Sequence, residues 1–192
     1  SLETAMSMTT DSIFELMAAR GLGRYGLSDV TQLDHALQSA ELAAKRGLGD
    51  ALVIAALLHD LGHLVVGDDV NLAADGIDDL HEESAARVLA EVYGPSVSEP
   101  VRLHVAAKRY LCGTNPGYYG KLSQDSKDSL MLQGGPMTAG EIADFDRFEH
   151  RAAALQLRLI DDEAKVAGLA TPGLETFRPI AARLEAAHRG GG

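Results

Sequence analysis

The chain has 192 residues, a hydrophobic fraction of 46% and a formal net charge of −11. That length suits one domain that buries roughly 70% of its unfolded surface, and that charge argues against nucleic acid or an anionic membrane as principal partner, since both reward clustered Lys and Arg. One cysteine, Cys112, excludes an internal disulfide framework and fits a cytoplasmic location, and no apolar run reaches the roughly 18 residues of a membrane span.

The opening SLETAMSMTT lacks a basic stretch followed by an apolar one and does not read as a secretory leader. Residues 1–8 and 189–192 read as tails of a single domain spanning 1–192. Helical periodicity dominates what lies between. SIFELMAARG sets Ile13, Leu16 and Met17 on one face and stops at Gly21. A second helix runs from a Thr31 cap to Gly47, with Leu33, Leu37, Ala40 and Ala44 at three- and four-residue steps. DALVIAALLHDLG is apolar all round and reads as the central buried helix, ending near Gly62. DDLHEESAARVLAEVYG and SVSEPVRLHVAAKRYL give two more, the latter with Pro100 in its first turn. From Cys112 to Thr138 the chain is punctuated by Gly and Pro around a short helix at SQDSKDSLML, a long irregular region of the kind that often carries function. One long helix over 139–168 and a last one over GLETFRPIAARLEAAHRG complete an all-α bundle.

Sorting His and Asp by helix gives a pattern. His35 lies on the second helix, His59 and Asp60 on the buried one, His81 and His104 on the next two, and Asp161 near the end of the long one. Helix bundles build metal sites from facing helices in this way. A lone histidine is more often a satisfied core or cap residue. An adjacent His-Asp pair in an apolar run is different, because burying a carboxylate there costs several kcal/mol unless a charge compensates it. Four His and two Asp supply N and O donors without thiolate, which suits Fe, Mn, Zn or Co. Six ligands exceed what one open catalytic ion needs, so two ions bridged by Asp60 is the natural reading. His63, four residues after His59, could pair with it as a ligand on a helix, but Gly62 between them suggests the helix is ending, so it reads as a group behind the ligands or facing substrate.

The set His35, His59, Asp60 and Asp161 resembles the HD-domain superfamily, all-α metalloproteins that are mostly phosphohydrolases; the added His81 and His104 resemble its two-metal members. Within it, three stretches resemble the phosphonate-cleaving mixed-valent di-iron oxygenases of the PhnZ and TmpB type. RYGLSDVTQLDHALQSA pairs Tyr25 with His35, SLMLQGGPM resembles their loop over the active site, and LHVAAKRYL sets Lys108 one turn after His104. The resemblance implies an Fe(II)/Fe(III) pair, O2 as co-substrate and oxidative cleavage of a carbon–phosphorus bond in a small organophosphonate. It implies that Lys108, Ser126, Ser129 and Gln133 bind the phosphonate, that His63 works beside O2 or substrate, and that Tyr25 closes a metal position until substrate arrives. It also implies a preceding 2-oxoglutarate-dependent hydroxylase and a monomer or small homo-oligomer. The residue-level alternatives are a loop anchor for Tyr25, a solvated helix residue for Lys108 and a plain turn for Gly134, Gly135 and Pro136.

For substrate, aminoethylphosphonate enzymes are expected to carry Glu three residues after the tyrosine; here Ser28 stands there, with Asp29 beside it. Loss of a close carboxylate suits a quaternary ammonium, which aromatic faces attract, and Tyr110, Tyr118 and Tyr119 are candidates. The expected substrate is (R)-1-hydroxy-2-(trimethylammonio)ethylphosphonate, giving glycine betaine and phosphate, with 2-amino-1-hydroxyethylphosphonate, giving glycine, as the variant. The alternative is a metal-dependent phosphohydrolase or phosphodiesterase on the same ligands.

Overall fold

The computed structural model describes residues 7–26, 29–66 and 78–191, with side chains at 65–66 and 78–82 left aside. The described elements are α1 (Thr10–Arg20), α2 (Gln32–Lys45), α3 (Asp50–Leu58), α4 (Leu61–Val66), α5 (Asp78–Tyr93), α6 (Pro95–Thr114), α7 (Tyr118–Lys121), α8 (Gln124–Leu132), α9 (Ala139–Phe145), α10 (Arg151–Glu163) and α11 (Arg178–Gly190). No strand occurs among the described residues; Arg24 and Thr31 form an isolated bridge. No described helix is long and apolar enough to cross a membrane. The bundle is all-α, as its periodicities require.

Helix starts follow local chemistry. Thr9, Thr31 and Thr138 each accept from the backbone N–H of the third helical residue, and Ser12, Asp34 and Glu141 return the bond to the cap backbone. α3 is apolar on every side and lies at the centre, packed against α2 and α6, while α6 is flanked by α5 and α10. Leu52 to Leu58 are all buried, with Ile54, Ala55, Ala56 and Leu58 wholly so. A side chain such as Ile54 or Leu58 contributes about 1.5–3 kcal/mol through that burial.

Four elements depart from the sequence reading. The central helix ends at Leu58, turns through His59 and Asp60, and resumes as α4, which contains Gly62. The His59 ring Nδ1 donates to Ala56 O at 2.6 Å, a backbone acceptor in the last turn of α3. The long helix expected over 139–168 is two, α9 and α10. No Gly or Pro breaks it; Asp146 caps α9 and accepts from Tyr110 Oη at 2.8 Å and Arg151 Nη1 at 3.0 Å, so tertiary bonds fold the chain there. α6 begins with Pro95 in its first turn, which leaves Pro100 inside the helix. At the C-terminus α11 continues to Gly190, through the start of the stretch read as a tail.

Candidate metal centre

His35, His59, Asp60 and Asp161 each offer a donor atom, and these four atoms all lie within 4.8 Å of one another. His35 comes from the first turn of α2, His59 and Asp60 from the turn between α3 and α4, and Asp161 from the last turn of α10. His35 Nδ1 meets Ala164 O at 2.7 Å and His59 Nδ1 meets Ala56 O at 2.6 Å. A carbonyl only accepts, so each Nδ1 carries the hydrogen and each Nε2 is turned inward. His104, on α6, repeats the device with Nδ1 on Val101 O at 2.6 Å, and its ring stands edge-on to His59 with centroids 5.4 Å apart. Backbone carbonyls holding the outer nitrogen are how proteins orient metal-binding imidazoles.

The inner atoms crowd. His35 Nε2 lies 3.1 Å from His59 Nε2 and 2.9 Å from Asp161 Oδ1, and His59 Nε2 lies 3.2 Å from the same oxygen. Asp60 Oδ2 is 3.4 Å from His35 Nε2 and 3.3 Å from His59 Nε2, yet it is buried and accepts no hydrogen bond of good geometry. A cation bound at about 2.1 Å sets neighbouring ligand atoms at right angles about 3.0 Å apart. The observed spacings match that, and a dication would satisfy the orphaned carboxylate oxygen. The residues fit a metal ion.

The electrostatics agree. Burial alone would raise the Asp161 carboxyl, but Arg158 and then His59 outweigh it and hold it well below the usual range. Burial would also raise Asp60, and His59 and His35 bring it well below instead. Burial would lower His59, and Asp60 and Asp161 lift it well above the ordinary histidine value; His35 is raised against burial mainly by Asp161. His104 is driven down to about 4 by burial and by His59, which outweigh the opposing pull of Asp161 and Asp60.

Around this cluster stand two buried cations. Arg158 Nη1 pairs with Asp161 Oδ2 at 3.1 Å, and its Nη2 donates to Ser126 Oγ at 3.3 Å. Lys108, one turn after His104 on α6, donates to Ser129 Oγ at 2.7 Å and Ser126 O at 3.3 Å. Lys108 is therefore a buried lysine tied to two residues of α8, not a solvated helix residue. Gln133 caps α8 on the same helix as both serines. Tyr25 stacks on the His35 ring with centroids 4.0 Å apart, and its hydroxyl approaches Asp161 Oδ1 at 3.4 Å. Burial, then Asp161 and Asp60, raise its phenol well above the usual value. His63 Nε2 lies 3.8 Å from Asp60 Oδ1, on a side chain partly open to solvent.

Not every residue singled out in the sequence lies in this cluster. Asp29 is exposed and 4.0 Å from Arg24. His81 sits on α5 with its side chain outside those described, and Ser28 lies outside the described residues. Tyr110, Tyr118 and Tyr119 do not share a partner: Tyr110 reaches Asp146, Tyr118 reaches Asp162, and Tyr119 has Lys127 over its ring at 5.2 Å. Asp162 pairs with Arg158, while Lys165 lies 5.6 Å over the Tyr25 ring. Arg158 escaped sequence reasoning, and so did the bond of Tyr118 to it and to Asp162. The signal was present in RLIDD, where Arg158 stands three and four residues before two aspartates, the spacing at which helical side chains meet.

Comparison with known proteins agrees with this geometry. The family model of the HD domain matches residues 33–170. Over 171 residues the chain is 39% identical to a protein of Leisingera caerulea named [1-hydroxy-2-(trimethylamino)ethyl]phosphonate dioxygenase (glycine-betaine-forming), covering 89% of this chain and 87% of that one. Over 170 residues it is 46% identical to a hydroxymethylphosphonate dioxygenase of Gimesia maris, covering 86% and 83%.

Proposed function

The chain belongs to the HD-domain family and is a relative of its phosphonate dioxygenases, and from that premise we propose that it cleaves the carbon–phosphorus bond of a 1-hydroxyphosphonate with O2. The observation that carries this reading is the four-donor cluster of His35, His59, Asp60 and Asp161 beside the buried Lys108 and its serines. A redox metal and an anion pocket side by side are what an oxidative phosphonate cleavage needs; a phosphohydrolase shares the ligands but not these relatives.

In this reading the metal is iron, as an Fe(II)/Fe(III) pair, and His35, His59, Asp60, His81, His104 and Asp161 would hold it, with Asp60 as the shared carboxylate. What supports that role is that Asp60 turns Oδ2 toward the two histidines and leaves Oδ1 on the side of His63. Iron bound there would pass electrons from the substrate to O2 and offer open positions for O2 and the substrate hydroxyl. Lys108, Ser126, Ser129 and Gln133 hold the phosphonate oxygens by charge-assisted hydrogen bonds. That fixes C1 relative to the metal, and His63 takes or returns the proton of the C1 hydroxyl. Tyr25, stacked on His35, keeps water and idle O2 away until substrate displaces it.

The expected substrate is (R)-1-hydroxy-2-(trimethylammonio)ethylphosphonate, yielding glycine betaine and phosphate, as the Leisingera relative is named for. A second reading, hydroxymethylphosphonate to formate and phosphate, is favoured by the Gimesia relative and by the separate engagements of Tyr110, Tyr118 and Tyr119, which leave no three-tyrosine cage for a quaternary ammonium. Anaerobic iron loading followed by O2 uptake and phosphate release with each of these phosphonates and with 2-amino-1-hydroxyethylphosphonate tests both. One O2 consumed per phosphate released is expected. Phosphoester hydrolysis without O2 uptake overturns the oxygenase reading.

A further inference from the structure

The last turn of α10 carries Asp161, Asp162 and Glu163 in succession. Three carboxylates there face the negative end of the helix dipole, an unfavourable place for anions. Each is matched by an arginine: Glu163 by Arg46, and both aspartates by Arg158. The Arg158 side chain is 5% exposed, and every nitrogen of its guanidinium has a partner. Nη1 goes to Asp161 Oδ2, Nε to Asp162 Oδ1 at 3.1 Å and Tyr118 Oη at 3.3 Å, and Nη2 to Asp162 Oδ1 and Ser126 Oγ. Tyr118 Oη in turn donates to Asp162 Oδ2.

The charges on this chain of contacts are one guanidinium between two carboxylates. Asp162 takes the closer and doubled share, with contacts from both Nε and Nη2, while Asp161 receives Nη1 alone. If Asp162 were neutral, the whole guanidinium charge would fall on Asp161, at 3.1 Å. It would then compete with a cation for that carboxylate and add repulsion beside it. The same uncompensated charge would strengthen the pull on an anion at Ser126, where Arg158 and Lys108 converge.

We propose that Asp162, held by Tyr118, is a positioning residue that neutralises Arg158 and so sets the balance between metal affinity at Asp161 and anion affinity at Ser126 and Lys108. The anion arm of this inference rests on the phosphonate-binding reading above. The two affinities are coupled with opposite sign, because one positive charge opposes the cation and favours the anion. A residue that merely supports the fold would weaken both together.

The test is Asp162→Asn in the full chain. Fe(II) affinity is measured anaerobically by competition with a chromogenic chelator, and inorganic phosphate affinity by calorimetry on the iron-saturated protein. Fe(II) binding is expected to weaken by roughly tenfold and phosphate binding to tighten by about threefold, with an unchanged circular dichroism spectrum. Tyr118→Phe, which keeps the ring and removes the donor to Asp162, moves both affinities the same way by less, and it carries the test alone if Asp162→Asn does not fold. Asp162→Glu restores both toward wild type. Unchanged Fe(II) affinity in a folded variant, or phosphate affinity that is unchanged or lower, overturns the proposal. Neither measurement requires turnover, so a wild-type protein that leaves phosphonates intact overturns the proposed reaction while these two affinities still decide the role of Asp162.

Discussion

His35 and His59 face each other Nε2 to Nε2 at 3.1 Å, each with its Nδ1 spent on a backbone carbonyl. Two imidazole lone pairs at that distance repel unless a proton or a metal lies between them, and Asp161 Oδ1 sits 2.9 Å from one and 3.2 Å from the other. The fold therefore holds a cluster whose stability depends on what cation it contains.

Removal of metal is accordingly expected to destabilise the protein. A site saturated at 100 times its dissociation constant contributes about 2.7 kcal/mol, which for a chain of this size lowers Tm by roughly 5–10 °C when lost. Differential scanning calorimetry before and after chelation, and after iron is restored, measures it. Asp60→Ala should show the low Tm with or without added iron; a variant that still loads fully and gains the wild-type Tm removes Asp60 from the ligand set.

A pH dependence follows from His104. Its folded value of about 4 lies below the roughly 6.5 of an unfolded histidine, so the fold favours the neutral ring. The stability this contributes is present above the unfolded value and is lost as pH falls from about 6.5 toward about 4. Between pH 7 and pH 5, metal-free wild type should lose about 2 kcal/mol more than His104→Gln. Urea denaturation at the two pH values compares them, and equal losses would show that His104 is not held neutral by burial.

Much of this was legible in the sequence because it is local. The Thr31 cap, the all-apolar α3 and the inward spacing of His35, His59 and Asp161 follow from helix periodicity, and the polar His-Asp pair within ALLHDLGH marks the centre by its contrast with the apolar residues around it. What periodicity cannot carry is tertiary. The split of α9 from α10 depends on Tyr110 and Arg151 meeting at Asp146. The break after Leu58 comes where the His59 ring bonds back to the carbonyl of Ala56, with no Gly or Pro to announce it. Arg158 was overlooked because a charged residue in an amphipathic helix reads as solvent-facing, and only packing of α7 and α8 against α10 encloses it.

Lys108 supplies the next expectation. Its ammonium is buried against Ser129 and Ser126 and is proposed to bind phosphonate oxygens. Lys108→Met keeps the apolar stem and removes the charge. Hydrogen bonds to charged groups contribute about 1.5–3 kcal/mol, so KM for the phosphonate should rise by about tenfold or more while bound iron is unchanged. Steady-state O2 uptake gives KM, and metal analysis gives the iron content. An unaltered KM would move phosphonate binding away from this end of the site.

Gly26 sets the position of Tyr25. Its φ of +55° is one that side chains rarely adopt, and a Cβ there would stand 2.6 Å from Asp125 Oδ2 on α8. Gly26→Ala therefore carries a backbone cost of about 1–2 kcal/mol, and the exposed Asp125 side chain must swing aside. The strain falls on the residue next to Tyr25, which stacks on His35 and reaches Asp161. Iron-loaded Gly26→Ala should consume O2 faster than wild type when no substrate is present, with Tm lowered by a few degrees. Tyr25→Phe, which keeps the stack and loses the hydroxyl, should raise idle O2 uptake with little change in Tm. If neither Gly26→Ala nor Tyr25→Phe alters substrate-free O2 uptake, Tyr25 is an anchor of its loop and does not guard the metal.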